Sequence, residues 1–239
     1  MNANTGLLAP SGAVTMQKVS GGDGGEKSLS AVPAKALSLR EIIYHGFPRA
    51  GLPDFINQWR ARNIPNLMRG LTKIMLARAL KVPHIYGQLA LTVIRGDGKV
   101  EDYGLASLRV VTTVGVGFIV DAFQNLVEVE NMKFHGIGTG VAAEAVGDTA
   151  LGTELTTQYN PDSTRATGTT TEGASANIYR TVGTNTLDSG TPAVTEHGVL
   201  SAASAGVLLD RSVFTAINLN GANGDGLQST YDLTFTAGS

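Results

Sequence analysis

The sequence predicts a mainly β protein: a β-sandwich or jelly-roll-like domain, preceded by an extended N-terminal arm and a few short helices. Three observations carry this expectation. Residues 134–239 contain 19 threonines and are cut at short intervals by turn clusters such as Asn160-Pro161-Asp162, Asp188-Ser189-Gly190 and Asn223-Gly224-Asp225-Gly226. The runs between those clusters have strand length and alternation, with Tyr231, Leu233 and Phe235 sharing one face. Residues 1–38 are dominated by Gly, Ser, Ala and Asn with no hydrophobic period, too little apolar content to order by themselves.

Taken in order, residues 1–38 read as an arm that neighbours in an assembly hold in place. Residues 39–84 form a short helical basic segment. Over 53–62, Phe55, Ile56 and Trp59 recur at helical spacing behind Pro53. A second helix starts near Pro65 and Asn66 and places Leu67, Leu71, Ile74, Met75 and Ala79 on one face, with Arg69, Lys73, Arg78 and Lys81 on the polar surface; Pro83 ends it. Residues 85–239 form the β-rich domain. Leu89, Leu91 and Val93 alternate, Gly96-Asp97-Gly98 supplies a turn, and Val100 and Tyr103 continue, which predicts a hairpin. Residues 113–124 predict a short helix with Val116, Ile119, Val120 and Phe123 as its apolar stripe, weakened by Gly115 and Gly117. Strands are expected over 177–182, 207–219 and 228–235, with Phe214, Ile217, Tyr231, Leu233 and Phe235 in the core. Short strands with glycine-rich turns point to a sandwich or jelly roll, and no solenoid period appears.

Size and composition narrow the function. A chain of 239 residues can bury a core without disulfides or metals. The absence of cysteine removes disulfide frameworks, thiolate metal sites and a cysteine nucleophile, and fits assembly in a reducing cytoplasm. The first ten residues lack a basic start followed by an apolar run. The most apolar stretch, 110–120, is broken by Thr112, Thr113, Gly115 and Gly117, so neither secretion nor a membrane span is expected. Charge is unevenly placed: residues 1–133 carry 15 basic and 10 acidic side chains, residues 134–239 carry 3 and 10. The basic interval is the main electrostatic feature, since Arg40, Arg49, Arg60, Arg62, Arg69, Lys73, Arg78 and Lys81 oppose only Glu41 and Asp54. It suits docking on an acidic protein surface, a solvated face, or nucleic acid; sparse aromatics and the lack of a DNA-binding motif favour the first.

Candidate chemistry is thin. His135-Gly136-Ile137-Gly138-Thr139-Gly140 superficially resembles a phosphate-cradling loop. Its glycine spacing is wrong for a dinucleotide fingerprint, no P-loop lysine follows and no helix opens behind it, so a turn between strands is expected. Glu196-His197, with His45, His84 and His135 elsewhere, lacks the paired helical spacing of a metal site. The acids of the C-terminal half are expected singly at solvated turns. Ser107, Ser201 and Ser212 have no nucleophile-elbow context. Arg95-Gly96-Asp97 reads as hairpin turn chemistry, and the Gly-Asp cluster at 21–25 as a linker. The expectation is a protein without catalytic residues, cofactor or metal.

Residues 134–236 nevertheless resemble a module of tailed-phage virion proteins. The carrying motifs are His135-Gly136-Ile137-Gly138-Thr139-Gly140, Asp148-Thr149-Ala150-Leu151 with Thr153-Glu154-Leu155, and Thr195-Glu196-His197-Gly198-Val199-Leu200. Further along come Leu208-Leu209-Asp210-Arg211-Ser212-Val213-Phe214 with Ile217-Asn218-Leu219, and the close from Asp225-Gly226-Leu227 through Tyr231-Asp232-Leu233-Thr234-Phe235. Asp121-Ala122-Phe123-Gln124-Asn125 extends the likeness, which covers residues 85–239. The resemblance implies a capsid decoration (cement) protein that binds the major capsid protein on the head surface and self-associates, as a homotrimer in cement proteins. Arg60, Arg62, Arg69, Lys73, Arg78 and Lys81 are then the capsid- or neighbour-binding residues. The alternative is a tail, fibre or baseplate component presenting loops such as 160–171 to a host receptor; a glycan-cleaving enzyme is a third reading.

Overall fold

The structure is a computed structural model that describes residues 64–109 and 111–238. The arm, the helix expected over 53–62, His45, Arg60 and Arg62 lie outside the described residues. Helix α1 (Ile64–Ala79) leads into the hairpin β1 (His84–Ile94) and β2 (Val100–Arg109), followed by helix α2 (Thr113–Phe123). Seven strands follow: β3 (Phe134–Gly138), β4 (Ala166–Thr167), β5 (Thr169–Glu172), β6 (Ile178–Thr186), β7 (Ala193–Leu200), β8 (Leu208–Asn218) and β9 (Gly226–Thr236).

The protein is mainly β, as its sequence predicts. One antiparallel sheet has the order β2-β1-β9-β6-β5 and the other β4-β3-β7-β8. Leu89, Leu91 and Val93 of β1 and Leu227 of β9 meet Ile137 of β3, Val194 of β7 and Phe214 and Ile217 of β8 in one buried cluster, which makes the pair of sheets a sandwich. No helix among the described residues is long and apolar enough to cross a membrane.

Period-2 alternation places the odd residues of β1 in this core. The partner strand β2 carries register shifts opposite Leu89/Ala90 and Leu91/Thr92. These bulges turn Tyr103 and Ala106 into the intersheet core while Leu105 and Leu108 face the other way. There they join Tyr86 and the inner face of α1, Leu71 and Ile74. The helical face expected from spacing is therefore only half right. Met75 and Ala79 are exposed, because the sheet meets a narrower stripe of α1 centred on Gly70, Leu71 and Ile74.

Helix α2 forms where expected, with a rotated inner face: Gly115, Phe118 and Ile119 are buried, whereas Val116, Val120 and Phe123 are exposed. The glycine that weakens the helix locally is the cause. A Cβ on Gly115 would stand 2.7 Å from the Leu209 carbonyl oxygen and 2.8 Å from its Cα, so only the glycine side can lie this close to β8. Thr112 caps the helix, accepting the Gly115 N–H and donating its hydroxyl to the Leu208 carbonyl. Gly117 has open space around it. One substitution at two neighbouring glycines should therefore have opposite signs. Gly115→Ala is expected to cost about 1–3 kcal/mol by forcing the helix off β8, and Gly117→Ala to add up to about 1 kcal/mol; urea unfolding of both variants checks this.

The strand predictions over 177–182, 207–219 and 228–235 correspond to β6, β8 and β9. Phe214, Ile217, Tyr231 and Leu233 are buried as expected, but Phe235 is 37% exposed. It lies past Leu233, the last β9 residue of the core, and lines an open groove with Thr170 and Tyr179.

Candidate functional site

Strand β3 begins the site, and it corrects two expectations. Residues 135–138 of the glycine motif are extended strand paired to β7, with Gly138 opposite Glu196, instead of a turn. The acids are also not solvated singletons: Glu196, Asp210 and Asp225 are buried, and Glu196 and Asp210 sit on strands. For Glu196 the two corrections have one cause. The glycines make room for a carboxylate that the strand pairing brings beside them. A Cβ on Gly138 or Gly140 would lie 2.6 or 2.4 Å from the Glu196 Oε1.

Glu196 accepts the backbone N–H of Gly140 at 2.9 Å, Gly152 at 2.9 Å and Thr153 at 2.7 Å, together with the Arg211 Nε–H at 2.8 Å. The glycine-rich segment thus does cradle an anion, and the anion is the protein's own side chain. Burial pushes this carboxyl up, but the N–H groups of Thr153 and Gly152 and the Arg211 guanidinium outweigh it and hold it below the usual carboxylate range. Arg211 continues to the Asp148 carboxylate at 3.0 Å and to the Ala142 carbonyl at 3.2 Å. Asp148 accepts the Ala145 N–H. Arg165 forks onto Glu154 and also donates to the Ala202 and Ala205 carbonyls. Tyr159 closes the set, its hydroxyl accepting the Ile137 N–H and donating to the Ile137 carbonyl. The long β3–β4 connection is thereby pinned to the sandwich by buried charge together with two isolated β-bridges, Gly138 to Glu154 and Tyr159 to Leu187.

A second polar cluster joins the sheets. His135 Nδ1 lies 3.0 Å from His197 Nε2, and His135 Nε2 lies 3.1 Å from the Thr181 hydroxyl on β6. Gly168, where the chain passes from β4 to β5, and Gly183 leave space for this imidazole. Burial drives His135 down to about 3, and burial with the neighbouring His135 drives His197 well below the ordinary histidine value. Both rings are held neutral at pH 7, so each contact along the row pairs one donor with one acceptor. Nearby, burial pushes Asp210 up to about 6 against the pull of Arg109, Ser212 and Tyr231.

Arg211 of the first cluster also lines a surface cleft. This cleft of about 190 Å³ is lined by Arg109, Thr112, Glu144, Val146 and Arg211, with Arg69 and Lys73 of α1 along its side. Arg109 and Glu144 form an ion pair at its base. Burial lowers Arg109 to about 10, with Asp210 opposing and the nearby Arg69 and Arg211 adding to the depression. Arg69, Lys73, Arg78 and Lys81 are all exposed, and none forms an ion pair among the described residues.

The remaining candidates disperse. His84 stacks on Tyr86 at the start of β1. Ser212 donates to Asp210 and Ser201 accepts the Val207 N–H, while Ser107 is buried. Arg95 pairs with Glu101 and Asp225, and Asp225 also accepts the Gly96 N–H, so the Arg-Gly-Asp triplet is the bound end of a hairpin. No group of three or more metal-ligating side chains converges among the described residues. Spacing alone does not reveal Arg109, Glu144, Asp148 or Arg211 as partners; the glycines at 138, 140 and 152 were the available signal that something bulky lies against that backbone. No family model, curated protein or solved structure matches the chain.

Proposed function

We propose that the chain is a structural protein of a tailed-phage particle, of the head decoration type, which binds the major capsid protein lattice and stabilises it. One observation carries the reading. The residues that give the sequence its phage-module resemblance, His135 to Gly140, Asp148, Glu154, Glu196-His197 and Asp210-Arg211, are those that converge into the buried network. Glu196 and Asp148 spend their charge on Arg211 and Glu154 on Arg165, so these motifs support a rigid sandwich. The exposed basic charge on α1 and the turn after it, Arg69, Lys73, Arg78 and Lys81, lies outside this network. A rigid body with a one-sign exposed face suits docking on an acidic lattice, where many weak rim contacts add through multiplicity.

Quantifying the protein in purified virions tests this. A copy number on the scale of the major capsid protein is the expected result; a handful of copies would move the protein to the tail, and absence from particles would end the reading. Reversing Arg69, Lys73 and Arg78 to glutamate should weaken attachment about tenfold or more, at roughly 0.5 kcal/mol or more per exposed charge. It should also flatten the dependence of attachment on salt; co-sedimentation with capsids across a salt series reads both effects.

A further inference from the structure

Two helices carry apolar residues that nothing in the described chain covers. On α1, Met68, Met75, Leu76 and the following Leu80 are exposed, although the opposite side of the helix is already spent on the sheet. On α2, Val116, Val120 and Phe123 recur at i, i+4 and i+7, and Leu126 follows in the next turn; Phe123 is 84% and Leu126 68% exposed. Contiguous patches of this kind mark association surfaces. Their charges have opposite sign. Helix α1 contains Arg69, Lys73 and Arg78 and no carboxylate, whereas residues 113–131 contain Asp121, Glu128 and Glu130 and no basic side chain.

We infer that α1 of one copy packs on α2 and its following turn in a second copy of this chain. Apolar stripe meets apolar stripe, and the basic margin of the first meets the acidic margin of the second. The choice of a second copy follows from charge: residues 1–63 carry seven basic and four acidic side chains, so covering α1 with that segment sets like charge against like. Such a contact between two different faces is made twice across a two-fold axis, or once per copy in a head-to-tail ring where its rotation closes. The inference rests on the reading above only in taking self-association as part of the protein's role, and its test needs no phage particle.

The full chain is measured by light scattering and native mass spectrometry. The wild type should form a discrete oligomer. Phe123→Ser with Leu126→Ser, Lys73→Glu with Arg78→Glu, and Glu128→Lys with Glu130→Lys should each weaken it at least tenfold while far-UV circular dichroism stays unchanged. Combining the two charge reversals in one chain should restore the oligomer. A monomeric wild type, or a combined variant as weak as its parents, would overturn the inference. So would a monomer whose chemical cross-links join α1 or α2 to residues 1–63 of its own chain. A monomer that loses capsid attachment when Phe123 and Leu126 are changed would overturn the interface and leave the proposed function standing. An oligomer that behaves as expected but is absent from virions would do the reverse.

Discussion

Glu196→Ala is expected to remove about 3–5 kcal/mol of stability, the scale for breaking a buried ion pair by deleting one partner. That is a large part of the 5–15 kcal/mol or so that a domain possesses. The loss has two parts. Arg211 would keep only Asp148 and a carbonyl as partners, and the N–H groups of Gly140, Gly152 and Thr153 would lose their acceptor together. The second part distinguishes this site from a simple salt bridge. Adding Arg211→Met to Glu196→Ala removes the unpaired cation but not the three unsatisfied donors, so the double variant should recover only part of the loss. Urea unfolding measures the energies. Limited proteolysis should cut the single variant within 139–165, the connection that Glu196 holds. Full recovery in the double variant would show that the cradle of N–H groups contributes nothing.

Acid should destabilise the protein well above the range where carboxylates protonate. His135 and His197 have folded-state values far below the ordinary 6.5 or so of an unfolded histidine, so the unfolded chain binds protons that the native state refuses. Their contribution is complete above about pH 6.5 and falls steadily as pH drops below it. Asp210 acts in the opposite sense. Its folded value is raised to about 6 from 3.8, so its contribution is present at low pH and lost as pH rises through 6. Two histidines against one aspartate leave a net loss of stability between pH 6.5 and 4. Thermal melting of the wild type should therefore fall across that window. His135→Gln with His197→Gln should lose this fall and melt slightly higher as pH drops through 6, the trend Asp210 leaves behind, and Asp210→Asn should steepen the wild-type fall by removing the offset. A wild-type melting temperature that is flat from pH 7 to 4.5 would contradict the neutral histidine pair.

The fold class was legible because the hairpin and the strands β6, β8 and β9 each declare themselves locally, through alternation bounded by Gly, Asn, Asp and Pro. Helix faces were less so. The i, i+3, i+4 spacing of α2 names Val116, Ile119, Val120 and Phe123, yet of these only Ile119 lies inside, because what decides the inner face is how closely β8 can approach and Gly115 permits that approach. The same limit applies to α1, whose apolar residues exceed what one sheet can cover, so spacing cannot say which of them meets it.

The candidate site shows the division most sharply. Composition and pattern alone established a β-rich domain without cysteine and a basic segment before it, since these are written in neighbouring residues, while the glycines around 136–140 read only as a turn between strands. Only the tertiary structure decided what those glycines make room for. Glu196 reaches Gly140, Gly152 and Thr153 from 43 to 56 residues away. His135 meets His197 and Thr181 across 62 and 46. Pairing at such separations is fixed by strand register and sheet packing. A buried charge finds its partner only after the backbone has folded, and the local sequence around either one carries no mark of the other.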